Sequence, residues 1–182
     1  MQQPSIISLV VTTYNRPDAL AAVIEACFAQ DDQNFEIIIA DDGSTANTRE
    51  TIDRLRERSP VPLLHVWQPD EGFRAAMARN RGTLAAAGQY IVFLDGDCIP
   101  QRDFVSRHRA LARPGYLVSG SRVLLSQEFT QRVLAEHIDM QGLGAAALLR
   151  LRTRGHINKV LQLLAKWPDK GRESRRFSWR RI

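Results

Sequence analysis

Tyr90-Ile91-Val92-Phe93-Leu94-Asp95-Gly96-Asp97 is the stretch that decides how this chain is read. Five apolar or aromatic residues run on without a helical period and stop at two carboxylates. The run is too short to span a membrane. It reads as a strand buried on both faces, as in a parallel sheet. The acids then fall at the carboxyl end of the strand, where open α/β sheets hold their ligands. Gly96 lets the backbone turn, so that Asp95 and Asp97 face one point. Two such carboxylates repel each other unless a cation lies between them. Oxygen donors favour a hard divalent ion, Mn²⁺ or Mg²⁺. An Asp-x-Asp by itself fits a solvated surface turn equally well, so the surrounding chain has to decide.

Upstream, the same pattern recurs. Ile6 to Val11 is a second buried strand, followed by the polar loop Thr12-Thr13-Tyr14-Asn15-Arg16. Pro17 suits the first position of a helix on which Leu20, Ile24, Cys27 and Phe28 share a face. Phe35 to Ala40 is a strand ending at Asp41-Asp42-Gly43-Ser44, and Ser44 or Thr45 is placed to cap a helix carrying Ile52 and Leu55. Pro60 ends that helix. Val61 to Trp67 is a strand whose prolines suit an edge or a strand start. After the loop Pro69-Asp70-Glu71-Gly72, an alanine-rich helix runs from Phe73 to Ala87 and is closed by Gly88. Strand and helix thus alternate three times before the Tyr90 strand. That alternation predicts a mostly parallel, Rossmann-like α/β sheet with helices on both faces and every polar loop on one edge. Beyond Asp97 the spacing predicts a helix over 103–111, a strand over 116–125, a helix over 128–140 and helical composition over 145–167.

Composition narrows the class. The chain has 182 residues, which suits one domain, and 44% of them are hydrophobic, enough for a core. Two cysteines, Cys27 and Cys98, make no disulfide framework and fit a reducing, cytoplasmic setting; Cys98 reads as a small packing residue. Neither a signal peptide nor an apolar run of spanning length is visible. Residues 150–182 carry eleven Lys or Arg against Asp169 and Glu173, a net of +9, which leaves −4 on residues 1–149 of a chain whose total is +5. Such a basic end suits an anionic membrane surface or, equally, a solvated, loose tail. It does not suit nucleic acid: aromatic residues hardly interleave with its charges, and no nucleic-acid fold is visible.

Taken together, Val10-Val11-Thr12-Thr13-Tyr14-Asn15-Arg16, Ile39-Ala40-Asp41-Asp42-Gly43-Ser44, Glu71-Gly72-Phe73-Arg74 with Ala78-Arg79-Asn80, and Phe93-Leu94-Asp95-Gly96-Asp97 resemble the donor-binding half of a family 2 glycosyltransferase with the GT-A fold. The likeness extends to enzymes of bacterial polysaccharide and lipopolysaccharide synthesis and to chondroitin-polymerase-like galactosyltransferases. It covers roughly residues 5–125 and implies a nucleotide-sugar-binding core over 1–125, a helical segment over 126–167 and a basic tail over 168–182. It also implies metal-dependent, inverting transfer from a UDP-sugar to a glycan or lipid-linked acceptor, at the inner face of the cytoplasmic membrane.

By residue type, Tyr14 offers a face for stacking a uracil-like ring, Thr12 offers short polar groups, and Asp42 can accept from a ring N–H. Tyr14 can equally fold onto the first helix, and Asp42 can cap the second. Arg16 and Arg74 resemble nucleotide contacts, with Arg74 able to neutralise phosphate. Asp97 is the expected metal ligand; Asp95 meets ribose or, through water, the metal. Arg79 admits an ion pair beneath the sheet, and Asp41 a structural role. The resemblance further implies a Gly-Trp-Gly segment, a Glu-Asp pair whose Asp is the base, and a later His, none of which is present. Glu128, Glu136, His137 and Asp139 lack a matching context, so no general base is assigned. The chain therefore reads as a donor-binding fragment or a truncated protein. A nucleotide-sugar-binding module without turnover and a nucleotidyltransferase on a similar sheet stand as alternatives. The latter expects a glycine-rich loop after the first strand, and Thr12–Arg16 has no glycine.

Overall fold

The structure is a computed structural model and describes residues 3–160. The chain forms two compact units, one through Ala112 and the other from Arg113. The first unit alternates as the sequence predicts: β1 (Ile7–Thr13), α1 (Pro17–Phe28), β2 (Phe35–Asp41), α2 (Ala46–Glu57), β3 (Leu63–Trp67), α3 (Ala75–Ala85), β4 (Tyr90–Asp95) and α4 (Phe104–Leu111). The four strands make one parallel sheet in the order β3-β2-β1-β4.

Side-chain alternation assigns the two faces. Ile7, Leu9 and Val11 of β1, with Phe35, Ile37 and Ile39 of β2 and Val92 and Leu94 of β4, join Leu20, Val23 and Ile24 of α1, Ile52 and Leu55 of α2 and Val105 of α4 in the larger core. Val10, Ile38 and Ala40 point the other way, against Ala78 of α3. The alanines of α3 and its Gly82 let that helix lie close; a Cβ at Gly82 would stand 2.8 Å from Val10 Cγ1. Each fully buried leucine or isoleucine here is worth about 1.5–3 kcal/mol relative to exposure.

Several local expectations are corrected. β1 and β2 are buried on both faces, but β4 is not: Phe93 is 54% exposed. The cause is α3, which packs chiefly on β2, β1 and β3, so that Ile91 still meets its cluster while Phe93 does not. Gly88 does not close α3, whose cap is Ala86 in extended conformation. Gly88 is small because a Cβ there would meet Ser8 Oγ at 2.5 Å. Thr45 occupies the cap position of α2 without a side-chain hydrogen bond.

In the second unit, α5 (Gln127–Ala135) starts at Ser126, whose hydroxyl accepts from the Phe129 N–H at 3.2 Å. The helix α6 (Ala145–Thr153) ends ahead of Gly155 at φ +75°. Residues 116–125, predicted as a strand, have no ladder; only Leu125 bridges, to Ile157. Apart from that bridge, no described segment pairs with these residues, and a strand needs a neighbour to form a ladder. Among the described residues, Phe129, Val133, Leu148 and Ile157 are the buried apolar residues of this unit. The basic tail over 168–182 and the far end of the helical stretch expected over 145–167 lie outside the described residues. Among the described residues, no helix is long and apolar enough to cross a membrane.

His108 on α4 gives the fold a pH signature. It is buried, 3.3 Å from the Tyr90 hydroxyl and edge-on to Phe104. Burial pushes its pKa down from 6.5 to about 4. Below the unfolded value, the unfolded chain binds a proton that the folded chain refuses. Stability is therefore whole above pH 6.5 and falls as the pH drops toward 4. We expect urea unfolding to lose roughly 2 kcal/mol between about pH 7 and about pH 5 from this group. His108→Gln should flatten that part of the slope; an unchanged slope would show that other groups cause it.

Candidate functional site

The parallel register ends three strands at one level: Thr12 stands opposite Ala40 and opposite Asp95. The strand order reverses between β1 and β4, and a cleft opens there, at the carboxyl edge. It holds about 320 Å³ and is lined by Thr12, Thr13, Tyr14 and Arg16 after β1, Asp42 after β2, Phe73, Ala75 and Arg79 around the start of α3, and Asp95, Gly96 and Asp97 after β4.

Glycines set the backbone of this edge. Gly96 N–H donates to the Thr12 carbonyl at 2.8 Å, and a Cβ at Gly96 would sit 2.6 Å from that oxygen. Close approach to β1, rather than turning alone, is thus what Gly96 supplies to the acid pair. Gly43 lies at φ +94°, and a Cβ there would meet the Asp70 backbone at 2.5 Å.

Side chains then latch the three loops together. The Asn15 N–H donates to Ser44 Oγ at 2.9 Å, and Thr45 N–H donates to Asn15 Oδ1 at 2.9 Å. Asp41, buried, accepts from Ser44 N–H at 2.8 Å and pairs with His65 Nε2 at 2.9 Å. Burial pushes its pKa up, but the His65 and Ser44 donors outweigh this and leave it below the ordinary value. The structural role expected of Asp41 matches these bonds. Tyr14 donates its hydroxyl to Asp70 Oδ2 at 2.9 Å and keeps its ring half exposed over the cleft. Asp70 raises the Tyr14 pKa, first through that hydrogen bond and then through its charge.

The predicted site residues are therefore mostly brought together. Thr12, Tyr14, Arg16, Asp42, Asp95 and Asp97 all line the cleft. Asp42 is 3% exposed; one oxygen accepts from Gln68 Nε2 at 2.6 Å and the other from the Arg74 N–H at 2.8 Å. Arg16 pairs with Asp18 at 3.0 Å, and its pKa is raised by that partner and, more weakly, by Asp97. Arg74 is not among the lining residues. Its guanidinium binds Glu71 at 2.6 Å and the Pro69 carbonyl at 3.2 Å.

Arg79 lines the cleft and pairs with Asp95 at 2.9 Å, so its ion pair lies at the site edge and not beneath the sheet. Its five-residue offset from Arg74 on α3 is the sequence signal for two different directions. Phe73, 95% exposed at the lip, and Thr13 were not singled out; no sequence pattern separates them from their neighbours.

The donor chemistry fits a divalent cation. Asp95, Asp97 and Cys98 present ligand atoms within 4.8 Å of one another. The hydroxyls of Thr12 and Thr13 are buried without a hydrogen-bond partner. In the second unit, Glu136 is held by Arg132 at 3.0 Å and Asp139 accepts from the Gln141 N–H at 2.9 Å. Neither arrangement singles out a general base.

A family model described as glycosyl transferase family 2 matches residues 8–180. The chain is similar to the glycosyltransferase GlyG of Streptococcus pneumoniae, 39% identical over 101 residues, which is 55% of this chain and 33% of that protein. It is also similar to an Escherichia coli protein named UDP-Glc:alpha-D-GlcNAc-diphosphoundecaprenol beta-1,3-glucosyltransferase WfaP, 34% identical over 50% of this chain and 35% of that one. Among solved structures, a mannosyltransferase of Pyrobaculum calidifontis in complex with GDP-Man and Mn²⁺ superposes with a TM-score of 0.55 at 26% identity, over 63% of this chain and 34% of that one. The chain thus spans about a third of the length of these relatives.

Gly43→Ala tests the loop latch. The residue must hold a positive φ, and its new methyl must displace Asp70. We expect a loss of about 1–3 kcal/mol in thermal or urea unfolding. Raised protease sensitivity in the loop over 68–74 should accompany it, and an unaltered digestion pattern would argue against the latch.

Proposed function

The chain belongs to glycosyl transferase family 2, and we propose that its cleft binds the nucleoside diphosphate of a sugar donor, UDP in preference to other bases, with a divalent cation at Asp97 and Asp95. The GT-A sheet places this cleft at the switch between β1 and β4. The observation that carries the reading is the convergence of Asp95, Asp97 and Arg79 with Tyr14 and two buried, unpartnered threonine hydroxyls in one cleft. Tyr14, fixed through Asp70, stacks on the base. Each carboxylate oxygen of Asp42 carries one internal bond, leaving a second lone pair for a ring N–H. Asp95 meets the ribose, and Arg16 faces the diphosphate. When bound, the cation would stabilise negative charge on the leaving diphosphate. Arg79 holds Asp95 in place for that role.

In the complete reaction, a hydroxyl of a glycan or lipid-linked acceptor displaces the diphosphate with inversion. The name of the Escherichia coli relative supports a UDP donor and a lipid-linked acceptor. The guanine donor of the mannosyltransferase is the second reading of the base pocket. Cytoplasmic placement against the membrane follows from such an acceptor.

Calorimetry with UDP, GDP and ADP tests the base, each with and without Mn²⁺. UDP should bind most tightly, and Mn²⁺ should tighten it. Asp97→Asn should keep the fold and lose the Mn²⁺-dependent part; equal metal dependence in both proteins would remove Asp97 from the site. Asp42→Ala should weaken UDP by roughly tenfold or more, the cost of one hydrogen bond to a charged group. Tighter binding of GDP than UDP would favour the second reading.

A further inference from the structure

Resting on the donor-site reading above, we propose that the Cys98 thiol is a third protein donor at this cation position. It makes the site select borderline and soft divalent ions over Mg²⁺. The acids alone do not distinguish this site from any other pair of oxygen ligands. Cys98 differs from a packing cysteine in where its sulfur lies. Its Sγ is 3.3 Å from Asp97 Oδ1, the carboxylate assigned to the cation, and its ligand atom lies within 4.8 Å of those of both acids. The residue is only partly buried, resting against the larger core next to the cleft-lining Asp97. The other cysteine, Cys27, is wholly buried, and burial pushes its thiol up to about 12. It therefore serves as an unreactive internal control.

A second observation points to a ligand at the same place. Thr13 is 5% exposed, its hydroxyl has no hydrogen-bond partner, and it lines the cleft with Asp95, Gly96 and Asp97. Its Cβ is 3.4 Å from where a Cβ at Gly96 would stand, beside the residue that joins the two acids. A buried hydroxyl left unsatisfied is costly, and a cation-bound water or phosphate oxygen would supply its missing partner. Two carboxylates, one thiol and a nearby hydroxyl form a mixed donor set. Carboxylates alone suit Mg²⁺ and Mn²⁺, whereas sulfur draws zinc and its softer congener cadmium.

The experiment is a titration of the full chain with Cd²⁺ and with Mg²⁺, read by the ultraviolet charge-transfer absorption of a cadmium–thiolate bond and by calorimetry. The proteins are wild type, Cys98→Ser and Asp97→Asn, each checked for folding by circular dichroism. Wild type should give one equivalent of charge-transfer absorption. Cys98→Ser should lose it, together with at least about tenfold in Cd²⁺ affinity, since even supporting contacts to a metal site cost that much. Its preference for Cd²⁺ over Mg²⁺ should shrink accordingly. Asp97→Asn should weaken the band's affinity as well, because thiol and carboxylate share one ion. The proposal is overturned if wild type shows no band, if the band survives Cys98→Ser, or if Asp97→Asn leaves Cd²⁺ affinity intact. The first result with Mn²⁺-dependent UDP binding preserved would remove only the thiol. Loss of UDP binding with the band preserved would remove the donor reading and keep the metal site.

Discussion

The hydrogen bond from Gly96 N–H to the Thr12 carbonyl is the contact around which this edge of the protein is arranged. It brings β4 so close to the end of β1 that no side chain fits at position 96. Asp95 is then the last residue of a paired strand, and Asp97 follows two residues later on an exposed turn. Without that approach the acids would still neighbour each other in sequence. They would not neighbour Thr12, Thr13 and Tyr14.

The loops facing this point are held by each other rather than by the core. Asn15 exchanges bonds with the Ser44 turn, Tyr14 reaches Asp70, and Asp42 reaches Gln68 and the backbone of Arg74. Buried carboxylates need such partners, since an uncompensated charge costs several kcal/mol out of water. Asp41 and Asp42 illustrate two uses of adjacent acids. One is turned inward to His65 and Ser44, and the other lines the cleft while tying down the start of α3.

Much of this was legible in the chain. Apolar runs ending in acids, with helical spacing between them, fixed the parallel α/β sheet, because period and length separate strands from helices. The cleft residues Thr12, Tyr14, Arg16, Asp42, Asp95 and Asp97 follow from the rule that ligands lie at strand ends. What stayed hidden depends on directions that spacing does not encode. Arg74 and Arg79 look alike as letters, yet one closes on Glu71 while the other reaches Asp95. Phe93 reads as a core residue and is half exposed, because the lateral placement of α3 over β1 to β3 is a packing outcome. Residues 116–125 have strand-like composition, but a strand also needs a neighbour to pair with.

The charged lining of the cleft has a consequence for how an anion enters. Asp42, Asp95 and Asp97 face Arg16 and Arg79, so three negative groups meet two positive ones. The surplus is negative, the more so because Arg16 is already paired with Asp18. For the proposed donor, a bare diphosphate would approach this mouth against the local field, whereas one whose charge a divalent ion has largely neutralised would meet little opposition. Arg79 is tied to Asp95 and so adds no spare positive charge to the lining. Salt would then act unequally on the two routes: screening would speed the bare anion and leave the neutralised one nearly unaffected.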